Sequence, residues 1–177
     1  GDAIDNYLGP VVGRPNGAVD RKIYSGETGR IIYHTKWDGY VAGELSLVPP
    51  VNIVLTSTYN QADHFLIVRT KLSYTQQVNE DNKLSIMIIE SGIIDPQLTP
   101  AGIVLDYEHN HVLRGMMTPF NGELIKESKV QGRVIIKEFC YKIPVDWIRE
   151  NCDVIAFVHY GTGDSLNVLQ AAYIPIK

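Results

Sequence analysis

The sequence predicts a mostly β protein, namely an antiparallel β-sandwich of about seven to eight strands with one N-terminal helix and one short helical turn. Beyond Pro50, most of the chain alternates apolar and polar residues with the two-residue period of a half-buried strand. Clusters of Asn, Asp, Gly and Pro separate these stretches, as they do in hairpin-rich sandwiches. A helical period is found in the segment just before Pro50.

The predicted helix follows a glycine-rich opening, residues 1–30, in which we expect loops and one short strand over residues 17–24. Thr35 can cap the helix, and Pro49 ends it. Its apolar and aromatic residues recur three and four positions apart: Trp37, Tyr40, Val41, Leu45 and Val48. Two internal glycines each cost about 1 kcal/mol relative to alanine, so we expect the helix to depend on packing through Trp37 and Leu45.

The strands are predicted where the two-residue alternation is bounded by turn-forming residues. They cover residues 51–59, 64–76, 83–90, 105–114, 130–143, 153–160 and 166–174. Residues 146–151 are predicted to form a helical turn with Trp147 facing the core, and residues 161–164 a hairpin turn. Residues 31–177 are therefore expected to form the sandwich domain.

Composition restricts the classes of function. The chain has 177 residues, of which 45% are hydrophobic and 20% charged, as in ordinary globular proteins. A formal net charge of -4 without a basic stripe argues against a nucleic-acid partner. The sequence has no Gly-x-Ser-x-Gly elbow, no Gly-Lys-Ser/Thr phosphate loop and no Gly-x-Gly-x-x-Gly run. We expect a protein that is not an enzyme, with no catalytic residue and no cofactor.

The run from Leu105 to Arg114 brings two histidines, two acidic residues and an arginine close together in the sequence. A single strand here would place Leu105, Tyr107, His109, His111 and Leu113 on one face. His109 and His111 could then chelate a metal if His159 or Glu108 joined them. The motif of cupin barrels requires a glutamate soon after the histidines, and this sequence departs from it. The alternative, which we favour, is a pair of semi-buried histidines hydrogen-bonded on a sheet face.

Cys140 and Cys152 are the two cysteines of the chain. They can form a disulfide if their strands are neighbours, or they can both stay reduced. Neither belongs to a Cys-x-x-Cys motif, so a dithiol redox site within this chain is excluded.

The order of several segments resembles a known family. They are Asn52-Ile53-Val54-Leu55, residues 84–90, the run Tyr107-Glu108-His109-Asn110-His111-Val112-Leu113-Arg114, Trp147 to Val158, and Val168-Leu169-Gln170-Ala171-Ala172. Together they resemble the C-terminal β-sandwich domain of the 28-kilodalton outer-membrane lipoprotein family of Bacteroidetes, of the Porphyromonas gingivalis type. The resemblance covers nearly the whole chain.

The resemblance has implications for domains and location. In that family a thioredoxin-like domain precedes the sandwich, so residues 1–30 would be the tail of such a domain or a linker. The resemblance also implies an outer-membrane or cell-surface protein held by a lipid anchor outside this fragment, with an adhesin or receptor role. It names no substrate and no catalytic residue.

Three functions follow as hypotheses. The first is a non-enzymatic surface module that binds a host protein or glycan, which predicts an exposed apolar or aromatic patch. The second is a structural domain that supports the thioredoxin-like partner domain, which predicts an uncovered apolar face near Pro15 and the Trp37 helix. The third is a metal site at His109 and His111, which predicts three converging ligands.

Overall fold

The computed structural model describes residues 2–9, 15–161 and 165–176. Its helices are α1 (Asp2–Leu8) and α2 (Trp37–Leu45), with 3-10 turns at His34–Lys36 and Arg149–Asn151. Its strands are β1 (Asn16–Gly17), β2 (Ile32–Tyr33), β3 (Val51–Asn60), β4 (Phe65–Tyr74), β5 (Asn82–Glu90), β6 (Ile93–Thr99), β7 (Gly102–His109), β8 (Val112–Met116), β9 (Glu123–Ile125), β10 (Val134–Lys142), β11 (Cys152–Tyr160) and β12 (Val168–Pro175).

Two antiparallel sheets face each other, which confirms the predicted sandwich. One sheet has the order β10-β4-β3, and the other has the order β12-β11-β5-β8 with β9 also paired to β5. The strand count exceeds the prediction because the structure adds short strands such as β1, β2 and β9. Two further small sheets, β1-β2 and β6-β7, lie outside the sandwich.

The core lies between the two large sheets. Alternate residues of β4 and β5 supply much of it, and the buried set includes Leu66, Val68, Leu72, Leu84, Ile86 and Ile88. Trp147 packs against this cluster, as the sequence predicts. Strands β5 and β11 are buried on both faces in places, since Ser85 and His159 point away from the core and are still inaccessible to solvent.

Helix α2 is where the sequence predicts it, but its start and its packing differ from the prediction. Thr35 lies within the preceding 3-10 turn, and no side chain caps α2. Trp37 is half-buried and donates a hydrogen bond of 3.3 Å from Nε1 to the carbonyl of Ile32. Leu45 is 82% exposed, so the predicted packing through Leu45 is wrong.

The opening segment also differs from the prediction. The strand expected over residues 17–24 is wrong, because β1 ends at Gly17, and α1 was not predicted. The segment is attached to the sandwich by a hydrogen bond of 2.8 Å from the Val168 N–H to the Asp20 carbonyl. Its origin as the tail of a thioredoxin-like domain stays a prediction. Most of the predicted turn at residues 161–164 lies outside the described residues.

The predicted strand over residues 105–114 is wrong, because the chain turns in its middle. Strand β7 ends at His109 and pairs with β6, whereas β8 begins at Val112 and pairs with β5. Between them His111 has a φ of 58°, a left-handed conformation that an ordinary strand does not contain. The two halves of the run therefore belong to different sheets.

Candidate functional site

His109 and His111 do not form a pair on one strand face. His109 is the last residue of β7, and its Nε2 atom is 3.2 Å from the carbonyl oxygen of Asp95. Because a carbonyl oxygen can only accept a hydrogen bond, Nε2 carries the proton. His111 is exposed, and its backbone N–H donates to the Ser91 hydroxyl over 3.1 Å. The side-by-side imidazoles that chelation needs are therefore missing.

The other proposed ligands do not complete a metal site. Glu108 accepts a hydrogen bond of 3.2 Å from the Asn110 amide, and His159 is buried on β11. Within residues 2–9, 15–161 and 165–176, no three His, Cys, Asp or Glu side chains are grouped so that they could hold a metal ion.

A buried polar pair lies on the side of β5 and β11 that faces away from the core. Ser85 Oγ is 3.0 Å from His159 Nε2, and His159 Nδ1 is 2.8 Å from the Tyr160 carbonyl. Since a carbonyl only accepts, Nδ1 carries the proton and Nε2 accepts from the serine hydroxyl. Burial lowers the pKa of His159 to about 4, so the ring is neutral at physiological pH.

The Ser85 and His159 pair has the residue types of a nucleophile and its base, but it is sealed. Both side chains have no exposed surface. Gly122, with a φ of 82°, lies so close that a Cβ atom there would be 2.7 Å from His159 Nε2. A substrate cannot reach the serine in this conformation, so the pair acts as a satisfied structural contact.

A buried ion pair lies at one end of the sandwich. Glu90 is buried at the end of β5, and its Oε2 forms an ion pair with Arg114 Nε, 3.2 Å away. The geometry of this ion pair does not allow a hydrogen bond to Oε2. Its Oε1 accepts a 2.9 Å hydrogen bond from the Ile148 N–H. The Arg114 guanidinium also lies 5.1 Å from the ring centroid of Trp147. Glu90 thereby fixes both β8 and the segment that carries Trp147.

Strands β6 and β7 form a hairpin that is a sheet of its own. Neither strand pairs with any other described strand. Every residue of β7 except His109 is exposed, so the hairpin lies outside the core. An isolated two-stranded hairpin is only marginally stable in water, so a hairpin of this kind is expected to gain stability from a partner.

The hairpin presents exposed aliphatic side chains on one face. Leu98 is paired with Ile103, and Ile94 lies on the same face as Leu98 four residues earlier in β6. Their exposed fractions are 74%, 68% and 59% for Leu98, Ile103 and Ile94. Leu105 is exposed as well, but it lies beside the register shift between Asp95 and Gln97, which interrupts the alternation predicted along this run.

A second apolar surface surrounds helix α2. Leu45, Leu47 and Val48 are all exposed at the end of the helix. A groove of about 620 Å³ runs between this segment and the start of β12, and it is also lined by Pro49 and Leu169. The second hypothesis predicted an uncovered apolar face near Pro15 and the Trp37 helix, and these exposed side chains lie at the end of that helix.

The two cysteines are both free. Cys140 is exposed on β10, and Cys152 is buried at the start of β11 in the opposite sheet. Burial raises the pKa of the Cys152 thiol to about 11. The condition for a disulfide between them, neighbouring strands, is not met.

The fold and the surfaces above define a β-sandwich domain with a protruding apolar hairpin. The chain matches the family of outer membrane protein Omp28 over residues 2–175. It therefore belongs to the Omp28 outer membrane protein family, which confirms the resemblance read from the sequence. Membership assigns the chain to the outer membrane. Among the described residues, no helix is long and apolar enough to cross a membrane.

Two solved structures that this chain matches come from Porphyromonas gingivalis. HBP35 has a TM-score of 0.78 at 16% identity, over 99% of this chain and 56% of that one. A domain of the outer membrane lipoprotein Omp28 has a TM-score of 0.49 at 17% identity, over 74% of this chain and 91% of that one. The HBP35 likeness shows a shared fold alone, and this chain spans only 56% of that structure. No curated protein matches the sequence.

The β6–β7 hairpin and the sealed pair were not predicted, although the sequence contains a signal for the burial of His159. Residues 93–105 contain Ile94, Leu98 and Ile103, but Pro96 and Pro100 separate these residues and make the pattern too irregular for the strand template. Strands β5 and β11 contain uninterrupted apolar runs, residues 86–89 and 154–158, which are typical of strands buried on both sides. That pattern could have identified His159 as buried.

Proposed function

We propose that this chain is a non-enzymatic cell-surface module of an outer-membrane lipoprotein, and that it binds a host protein through the β6–β7 hairpin. The single observation that carries the proposal is the exposed aliphatic face formed by Ile94, Leu98 and Ile103. Soluble proteins rarely leave such side chains together in water unless they meet a partner.

The negative charge of the hairpin indicates the charge of the surface that it would bind. Residues 93–109 contain Asp95, Asp106 and Glu108 and no Lys or Arg. None of these three carboxylates forms an ion pair within the described part of the chain. A host surface that is apolar with a basic border fits this combination. A glycan fits less well, because the face is aliphatic and offers few aromatic rings for stacking on sugars.

The test is saturable binding of the purified, labelled protein to cultured host cells. We expect binding to fall at least about tenfold in the variant Ile94→Thr/Leu98→Thr/Ile103→Thr, since truncating interface anchors typically costs more than 1 kcal/mol each. The matched control Val54→Thr/Val130→Thr/Val145→Thr changes three exposed apolar residues elsewhere. Equal loss in both variants would reject the hairpin as the site, and absence of saturable binding would reject the function.

Treatment of the cells separates the two classes of partner. Protease digestion of the cell surface should abolish binding, whereas glycosidase digestion should leave it unchanged. The opposite pattern would identify a glycan as the ligand.

A second function is favoured by the surface around α2. We propose that Leu45, Leu47 and Val48 contact a thioredoxin-like domain that precedes this one in the full-length protein. Burying these side chains against that domain would remove apolar surface from water and so stabilise the contact. Amide hydrogen exchange should then be slower over residues 37–48 in the full-length protein than in this chain, and Leu45→Asp/Val48→Asp should remove the difference. Identical exchange rates would reject the contact.

A further inference from the structure

Strand β10 is an edge strand whose outer hydrogen-bonding groups have no partner in the described structure. It pairs with β4 alone, over nine consecutive residues and without a register shift. It contains no proline, and no backbone N–H of β10 is bonded outside the ladder. The other edge of the same sheet, β3, lies beside β12.

The ladder fixes which residues of β10 point outward. At one end the Tyr74 N–H donates to the Arg133 carbonyl over 2.9 Å, and at the other the Ile143 N–H donates to the His64 carbonyl over 2.9 Å. Because hydrogen-bonded pairs alternate in an antiparallel ladder, the odd-numbered residues of β10 bond to β4. The N–H and C=O groups of Ile136, Glu138, Cys140 and Lys142 therefore point to the open edge.

We propose that this edge pairs with β10 of a second copy of the chain, antiparallel and about a two-fold axis at Cys140. In this register Glu138 of each copy lies opposite Lys142 of the other, so each edge supplies one acid and one base to its partner. Opposite charges directly across antiparallel strands stabilise the pair. The two three-stranded sheets then join into one continuous sheet across the axis.

Charge favours this register over one centred on Glu138. An axis at Glu138 would overlap more of the strand but would place the two Glu138 carboxylates directly opposite each other, which is destabilising. Lys137 points inward and is already neutralised by Glu123, 3.1 Å away. With the axis at Cys140, Lys137 lies across from Ile143 of the second copy rather than across from another lysine.

The side chains on the open edge permit close approach of a second copy. Ile136, Glu138, Cys140 and Lys142 are all exposed. No bulge or proline blocks the edge, although natural sheets commonly protect free edges with such features.

The first test is sedimentation equilibrium of the purified chain over a wide range of concentrations. We expect a reversible dimer, with the dissociation constant raised about tenfold by Glu138→Lys, because two attractive pairs become repulsive. The swap Glu138→Lys/Lys142→Glu should restore the wild-type constant. The control Glu80→Lys changes an exposed acid away from the edge and should leave the constant unchanged.

Cys140 supplies an independent readout of the register. A short bis-maleimide should link two copies of the wild-type protein through Cys140 and should fail to link Glu138→Lys. A Cys140→Ser/Val54→Cys variant moves the thiol to β3, away from the proposed axis, and should not be linked. A protein that stays monomeric, or a dimer that is indifferent to Glu138→Lys, would overturn the proposal. So would a dimer lost only in the Ile94→Thr/Leu98→Thr/Ile103→Thr variant.

Discussion

The imidazole of His159 accepts a hydrogen bond from the hydroxyl of Ser85, 3.0 Å away, and neither side chain is exposed. The contact joins neighbouring strands on the side of the five-stranded sheet that faces away from the core. It requires a neutral ring, because Nε2 must accept while Nδ1 donates to the Tyr160 carbonyl. The pair therefore links the stability of the sheet to pH.

The first prediction is loss of stability in mild acid. The pKa of His159 is lowered from 6.5 to about 4, by burial first and also by Arg21 and Lys83. Between these values the unfolded state binds the proton and the folded state does not, so stability falls as pH falls through this window. Urea unfolding at pH 7.5 and pH 4.5 should show a contribution of about 3 kcal/mol from this group.

The control variants isolate the contribution of His159. His159→Gln should lower stability at pH 7.5 and weaken its dependence on pH below about 6.5. His111→Asn changes an exposed histidine with a left-handed φ, a conformation that asparagine tolerates, and should keep the wild-type dependence. An unchanged pH dependence in His159→Gln would contradict the assignment.

The second prediction concerns the glycine that seals this pair. In Gly122→Ala the new methyl would lie 2.7 Å from His159 Nε2 and 3.0 Å from Ser85 Oγ, at a φ of 82°. We expect a loss of about 3 kcal/mol in the free energy of unfolding, from the clash and the backbone strain together. Gly132→Ala has nearly the same φ, 83°, with nothing within 4 Å, and should lose only about 1 kcal/mol. Equal losses would mean that the clash relaxes.

The third prediction concerns the buried carboxylate of Glu90. Removing its partner in Arg114→Met leaves an unpaired charge and should cost about 3 kcal/mol. Glu90→Gln/Arg114→Met should recover part of this loss, because the amide oxygen can still accept from Ile148. Asp146→Asn removes the exposed partner of Arg114 and should change stability by less than about 0.5 kcal/mol. Urea unfolding measures all three, and equal costs for Arg114→Met and Asp146→Asn would contradict the role of Glu90.

The fourth prediction is unequal reactivity of the two thiols. Cys140 is exposed, whereas Cys152 is buried with its pKa raised to about 11, so little thiolate forms near neutral pH. A thiol reagent at pH 7.5 should modify one cysteine in the native protein and both after unfolding. Cys140→Ser should abolish the native reaction. Two reactive thiols in the native protein would show that the start of β11 opens readily.

The local pattern of apolar and polar residues was sufficient to predict the long strands and α2. Strands β3, β4 and β5 begin and end within a few residues of the predicted bounds, because their alternation is regular and their turns are rich in Asn and Asp. The helix was recognisable from its period even though no side chain caps it. In these elements, local preference and tertiary packing agree.

Features that depend on distant residues were not predictable. The alternation from Leu105 to Arg114 continues across His111, but pairing with β6 on one side and β5 on the other divides it. The exposure of Leu45 depends on what packs against α2, which its period cannot reveal. Likewise, Ser85 and His159 are 74 residues apart, so only the pairing of β5 with β11 brings them together.

The last prediction is that the sandwich does not need the β6–β7 hairpin. The hairpin forms a separate sheet, and Ile93 pairs directly with His109 at its base. Replacing residues 94–108 by Asn-Gly, which favours a two-residue hairpin turn, should therefore close the chain without disturbing β5 or β8. Thermal unfolding should stay cooperative, with a change in stability within about 1 kcal/mol. Leu66→Ala, which removes a wholly buried side chain, should cost about 2–5 kcal/mol in the same assay.

Host-cell binding should disappear in the shortened protein, since its fold is kept but its apolar face is gone. If the shortened protein unfolds or aggregates, the hairpin contributes to the fold, and its exposed side chains must then be explained by stability rather than by binding.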